Sequence, residues 1–384
     1  MEPKIRFKGF EGEWKTSTIG EIAPLQRGYD LPTNNVISGT IPVVYSNGIL
    51  RFHNEGKCQA PAIITGRSGT IGKFTYIDHG EYWPHNTSLW VTTFHKNYPR
   101  FVYYFFQNVG FEKYATGSGV PTLNRNDIHK HIESIPSNKE EQQAIASYFT
   151  TLDSQISAST SRLASLKQMN AASLQAMFPQ EGEAVPKIRF KGFEGEWKTC
   201  PLYHFAKKRI EKNTKMLYNI TLTNSAEFGI IDQRNFFDHE ISNSENINGY
   251  YVVRDHDFVY NPRISSSAPV GPINQNKLGY TGVMSPLYLV FEINGINRDF
   301  LEIFFHTTLW HKYMFDNGNT GARFDRLAIS DEDFMKMPIP DIDFGEQQAI
   351  ASYFTSLDRQ ISLQSQRLEK LKQIKSACLD KMFV

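Results

Sequence analysis

Two stretches of the chain repeat apolar positions at alternating spacings of four and three, over a length that few globular helices reach. From Glu141 the spacing selects Ile145, Phe149, Leu152, Ile156, Ser159, Leu163, Leu166, Asn170, Ser173 and Met177, mostly apolar. From Glu346 it selects Ile350, Phe354, Leu357, Ile361, Gln364, Leu368, Leu371, Lys375, Cys378 and Met382, with polar residues at Gln364 and Lys375. Apolar residues at this period form one stripe on a helix, and a stripe this long is the seam of a coiled coil. Ser137-x-x-Glu140 and Asp343-x-x-Glu346 have the spacing of a capping side chain and a third-position carboxylate, so each predicts a helix start. A helix of about 38 residues is roughly 57 Å long. One small module cannot cover it, and each helix therefore needs a partner. The nearest partner is its own copy, packed antiparallel about an internal pseudo-twofold axis; the alternative is that each helix packs only on its own module.

The two stripes belong to a larger repeat. PKIRFKGFEGEWKT runs from Pro3 to Thr16 and returns unchanged from Pro186 to Thr199, an offset of 183. EQQAIASYFT runs from Glu141 to Thr150 and returns from Glu346 to Thr355, an offset of 205. The offsets differ by 22, which is the difference in length between the dissimilar stretches that separate the repeats, Ser17 to Glu140 and Cys200 to Gly345. Two modules thus share a frame and differ in content. The division is residues 1–139 and 179–343 for the globular modules, and 140–178 and 344–384 for the helices. The first repeated block, with Phe7, Phe10 and Trp14 around Gly9 and Gly12, reads as a strand and turn that docks aromatic side chains.

Inside the dissimilar stretches, β-branched and aromatic runs predict strands at Ile41 to Tyr45, Ala62 to Thr65, Leu89 to Phe94, Phe258 to Tyr260 and Leu287 to Phe291. Helical patterns follow at Arg100 to Asn108 and Asp299 to Tyr313, each leading into a glycine-rich polar loop. The fold class is α+β: two mixed α/β modules joined by two long antiparallel coiled-coil helices with internal pseudo-twofold symmetry. The loops carry the residue types that read base edges: arginine for guanine, asparagine for adenine, hydroxyls for either. The first module offers Tyr45, Ser46, Asn47, Arg67, Ser68, Thr70, Asn86, Thr87, Ser118, Thr122, Asn124 and Arg125. The second offers Arg234, Asn261, Arg263, Ser265, Ser266, Asn319, Arg323 and Arg326.

Bulk composition narrows the options without choosing among them. A formal net charge of +1 argues against an indiscriminate phosphate binder, so any nucleic-acid surface is local. Cys58, Cys200 and Cys378 are scattered and suggest neither a disulfide framework nor a metal knuckle. No uninterrupted apolar stretch is long enough for a membrane span, and a cytoplasmic location is expected. No metal site is expected: there is no HExxH, and His129-x-His131 reads as surface or core histidines.

Several segments together resemble the specificity subunits of type I restriction-modification systems over almost the whole chain. They are Ile63 to Gly72 (IITGRSGTIG), Trp83-Pro-His-Asn-Thr87, Gly117 to Asn124 (GSGVPTLN), Asp257-Phe-Val-Tyr-Asn261 and the EQQ-led helices. The resemblance implies that each dissimilar stretch is a target-recognition domain for one half of a split, asymmetric double-stranded DNA site, with the repeated helices as spacer. It implies two methyltransferase subunits that flip an adenine for methylation, restriction subunits, and S-adenosylmethionine, ATP and Mg held by those partners, with no catalytic site and no cofactor on this chain. An enzyme reading has to rest on Asn261-Pro262-Arg263, which lacks the second proline and aromatic of an adenine methyltransferase motif, and no glycine-rich cofactor loop accompanies it. The alternative of another class is a coiled-coil adaptor whose modules bind proteins.

Overall fold

The structure is a computed structural model that describes residues 2–117, 119–235, 244–319 and 325–384. It divides into two units, 1–162 with 364–384, and 163–363. The long helices are Lys139–Ala176 and Phe344–Met382, and each contributes one part to each unit.

In the first unit, a four-stranded antiparallel sheet runs in the order Leu25–Arg27, Ser88–Val91, Ala62–Gly66, Phe74–Ile77. A second sheet, ordered Gly48–His53, Ile41–Tyr45, Glu81–Pro84, Cys58–Gln59, includes the parallel pair Val43 and Trp83. Helix Pro99–Val109 starts on proline, whose missing N–H costs nothing there, and ends on Gly110 at φ 71. Its face Phe101, Val102, Phe105, Phe106 and Val109 is buried in the core.

The second unit repeats the first sheet without its sequence: Ala206–Lys208, Leu289–Ile293, Phe258–Tyr260, Ile273–Gln275. The expected helix Asp299 to Tyr313 is instead two, Arg298–Phe305 and His311–Asn317. Between them the Thr307 hydroxyl and the indole N–H of buried Trp310 donate to the carbonyls of Phe304 and Phe305, so side chains replace the helical donors. The strand expected from Leu89 to Phe94 is shorter, ending at Val91, and the one expected from Leu287 begins at Leu289.

Both repeated blocks are explained by what they hold. Arg6 donates through Nε and a terminal nitrogen to the two carboxylate oxygens of Glu141 at 2.7 and 2.9 Å, and Arg189 does the same to Glu346 at 2.6 and 2.8 Å. These paired forks are among the strongest side-chain hydrogen bonds. Phe7 packs edge-on to Tyr148 with ring centres 5.9 Å apart, and Phe190 to Tyr353 at 6.2 Å. The helix cap of the first copy is Asn138, not Ser137: Asn138 Oδ1 accepts from the N–H of Glu140 and Glu141, as Asp343 Oδ1 accepts from Gly345 and Glu346. The first copy's cap therefore sits one residue later than Ser137-x-x-Glu140 suggests, and Glu141, three positions on, gives its carboxylate to Arg6.

Within each unit the two helix segments run antiparallel. In the first, Tyr148, Asp153 and Ser159 meet Cys378, Lys375 and Gln364 in that order. In the second, Asn170 and Ser173 meet Asp358 and Tyr353. Adding 205 to one set of positions gives the other, so each contact has its pseudo-twofold mate, and Ser159 with Gln364 is its own. Of the expected seam, Ile145, Phe149, Leu152, Leu166, Ile350, Phe354, Leu357 and Leu368 are buried, and Ile156, Leu163, Ile361 and Leu371 are half-buried.

Candidate nucleic-acid interface

At one end of the first unit's four-stranded sheet, the turns after its strands converge on an open cleft of about 900 Å³. Gln26, Arg27, Tyr29 and Asp30 come from the first edge strand and the loop beyond it, Arg67 and Asn86 from two neighbouring turns, and Thr122 to Arg125 from the last hairpin and helix. Backbone bonds tie these loops together. Arg67 N–H donates to Thr87 O at 2.8 Å, Leu123 N–H to Arg67 O at 2.8 Å, and Gly69 N–H to Pro121 O at 2.9 Å. Two glycines let them approach: a Cβ on Gly66 would stand 1.7 Å from the Thr70 carbonyl oxygen, and one on Gly28 2.2 Å from that of His85.

Three guanidinium groups, Arg27, Arg67 and Arg125, face this cleft, and among the described residues none has a hydrogen-bond or ion-pair partner. Asn86 is engaged by Asp30, and Asn124 accepts from the N–H of Asn126 as the cap of helix Arg125–His129. At its base, His129 Nε2 accepts from the N–H of Leu25 at 2.8 Å, which joins that helix to the strand bearing Gln26 and Arg27. Burial, and secondarily Arg125, pushes the His129 imidazole below its usual value, so it stays neutral and able to accept. Tyr45 packs against His85 with ring centres 4.2 Å apart and planes tilted by 33°, and burial lowers the His85 value too. Ser46 lies against Gly66 and Gly69, Lys73 Nζ donates to Asn47 O, and Ser68 pairs with Thr122. The Thr87 hydroxyl bonds to His85, and Thr70 is the residue that Gly66 accommodates. Ser118 lies outside the described residues.

The second unit has a smaller cleft, about 440 Å³, at the same end of its matching sheet. Asn261, Arg263, Ser265 and Arg326 line it with Thr223, Asn224, Ser285 and Tyr288. Asn261 is spent on the backbone: its Oδ1 accepts from Arg263 N–H at 3.0 Å and its Nδ2 donates to Asn224 O at 2.9 Å. Its amide is thereby a loop brace, and Asn224, bonded to Val259 O and to Asn274, is another. Arg263 and Arg326 flank exposed Asp325 at 3.8 Å each, weak pairs that a phosphate or a base edge can displace. Ser266 is exposed in the adjoining turn. Arg234 is not brought to the cleft and pairs with Asp232 at 2.9 Å. Asn319 forms a two-way backbone pair with Ala328, and Arg323 lies outside the described residues. Among the described residues no cluster of histidine, cysteine and carboxylate side chains could hold a metal.

Sequence reading passed over Gln26, Arg27 and Asp30, and Thr223, Asn224 and Tyr288. They sit in or beside strands without a glycine-rich signal, and only the convergence of strand ends brings them to the clefts.

Residues 11–168 match a family described as the type I restriction modification DNA specificity domain. Among solved structures, the chain is similar to the S subunit of a type I restriction-modification system from M. genitalium. Identity is 14%, covering 100% of this chain and 99% of that one, with TM-score 0.65. It is also similar to a chain from a structure on complex assembly and conformational transition of the type I R-M system, at 14% identity, 97% and 98% coverage and TM-score 0.51. No curated protein sequence matches it.

Proposed function

We propose that this chain is a DNA-specificity subunit of the type I restriction-modification kind, a reading supported by the family match over residues 11–168, and that each unit reads one half of a split DNA target with its own cleft. What carries the reading is one observation: two unlike polar clefts, each presenting arginines, lie at the same end of two matching sheets built on a repeated frame. Unlike linings mean unlike half-sites. The Arg67, Arg125 and Arg27 forks suit guanine edges or phosphates, and Thr122, Arg263, Ser265 and Arg326 are the further candidates. Braced Asn261 and Asn124 position their loops.

The chain is a recognition scaffold, and chemistry belongs to its partners. We assign it two methyltransferase subunits, one for each unit, which bring S-adenosylmethionine, and restriction subunits, which bring ATP and Mg. No described helix is long and apolar enough to cross a membrane, and we place the complex in the cytoplasm with its DNA.

The test is titration of fluorescent duplexes with the chain alone and with its methyltransferase partner. Affinity should fall with salt by about 0.9 in log K per log salt for each phosphate contacted, and scrambling either half-site should weaken binding. Binding that ignores sequence in both halves would favour an adaptor for other proteins.

A further inference from the structure

Two glutamines identical in the two copies, Gln142 and Gln347, are buried to within 2 and 3% and lie outside both clefts. Gln142 Oε1 accepts from the backbone N–H of Tyr98 at 2.7 Å, while its Nε2 donates to Pro136 O at 2.8 Å and Asn97 Oδ1 at 2.9 Å. Gln347 Oε1 accepts from Asn297 N–H at 2.8 Å, and its Nε2 donates to Ile342 O at 3.0 Å. Tyr98 and Asn297 are the caps of the helices that pack on the two matching sheets, Pro99–Val109 and Arg298–Phe305. Pro136 and Ile342 each follow the residue paired to the lysine of the first repeated block, Ile135 with Lys15 and Asp341 with Lys198. The same two backbone positions are therefore gripped in modules that share no sequence.

We propose that Gln142 and Gln347 are positioning residues that fix the angle of each recognition module on its long helix, and so restrict the complex to one gap length between half-sites. The proposal rests on the split-target reading. A buried amide with both ends satisfied by backbone resists rotation, because any swing leaves a desolvated donor or acceptor unmet. The grip reads main-chain atoms, so it serves any module sequence. It also touches no cleft residue, so its loss acts on spacing and leaves base choice alone.

The experiment uses the full chain in complex with its methyltransferase partner, on a library of duplexes with the native half-sites separated by the native gap or by one base pair more or fewer. Gln142→Met and Gln347→Met keep the side-chain volume and remove the grip. Each should narrow the rate difference between native and neighbouring gaps by at least about tenfold, because every bond of the grip is lost at once, with base preference unchanged in both halves. Asn97→Ala, which removes one of three bonds at Gln142, should narrow it less, and it provides the readout if the methionine variant unfolds. An unchanged gap preference in folded variants overturns the proposal, as does an altered base preference. A wild-type complex that methylates no split target removes the reading beneath it.

Discussion

Gly66→Ala should damage recognition of one half-site and spare the other. The added Cβ would stand 1.7 Å from the Thr70 carbonyl oxygen, 2.7 Å from its carbon and 3.1 Å from Ser46 Cβ. Real Cβ atoms almost never approach closer than 3.0 Å, so the Thr70 carbonyl must retreat by about 1.3 Å. The obstacle is backbone within a tight turn, and overpacking of this kind costs about 1–3 kcal/mol. The turn carries Arg67, whose carbonyl receives Leu123 N–H and whose own N–H bonds to Thr87, so opening it displaces the fork and the neighbouring hairpin together. A displaced bidentate base contact weakens binding by about 1–3 kcal/mol, or 5- to 150-fold. Gly119→Ala is the control in the neighbouring hairpin, because its Cβ would meet nothing within 4 Å. The assay is affinity for duplexes carrying either half-site intact with the other scrambled. Unchanged affinity for the first half, or equal loss at both, would refute the placement of the cleft.

Arg6→Ala and Arg189→Ala should lower thermal stability about equally, each by about 1.5–3 kcal/mol from a lost charge-assisted fork on a buried glutamate; a large inequality would show that the two frames are not equivalent. Ser159→Ala combined with Gln364→Leu replaces the polar pair at the pseudo-twofold position, where Gln364 donates to Ser159 Oγ at 2.7 Å, and should raise the denaturation midpoint. His85, His129 and His311 all have values depressed below 6.5 by burial. The unfolded chain takes up their protons first, so stability is full above about pH 6.5 and declines as pH falls below it. His129→Gln, whose amide oxygen can still accept from Leu25 N–H, should reduce that acid slope in pH-dependent melting while preserving half-site preference.

The long helices were legible because a sustained 4-3 stripe has one structural meaning, and the repeat exposed the pairing: Tyr148 with Cys378 and Tyr353 with Ser173 are the same contact twice. The strand cores were legible as β-branched and aromatic runs, which suit strands buried on both faces. Loop chemistry was legible only by residue type. Arg67 and Arg263 reach clefts as their loops suggest, whereas Arg234 is held by Asp232 two residues away and Asn261 is absorbed by bracing, outcomes set by turn geometry that composition does not encode. Glu346 reads as a capping residue until Arg189, 157 positions earlier, takes its carboxylate. Gln142 gives no local signal because its partners lie in the dissimilar stretch.

The most direct test of the central claim is to express the chain with the methyltransferase partner proposed above and map methylated adenines across the host genome by single-molecule sequencing. Two clefts with unlike linings predict one split motif, its two halves different in sequence and separated by a fixed unread gap. A continuous motif, two identical halves, or no methylation from a stable complex would contradict the account.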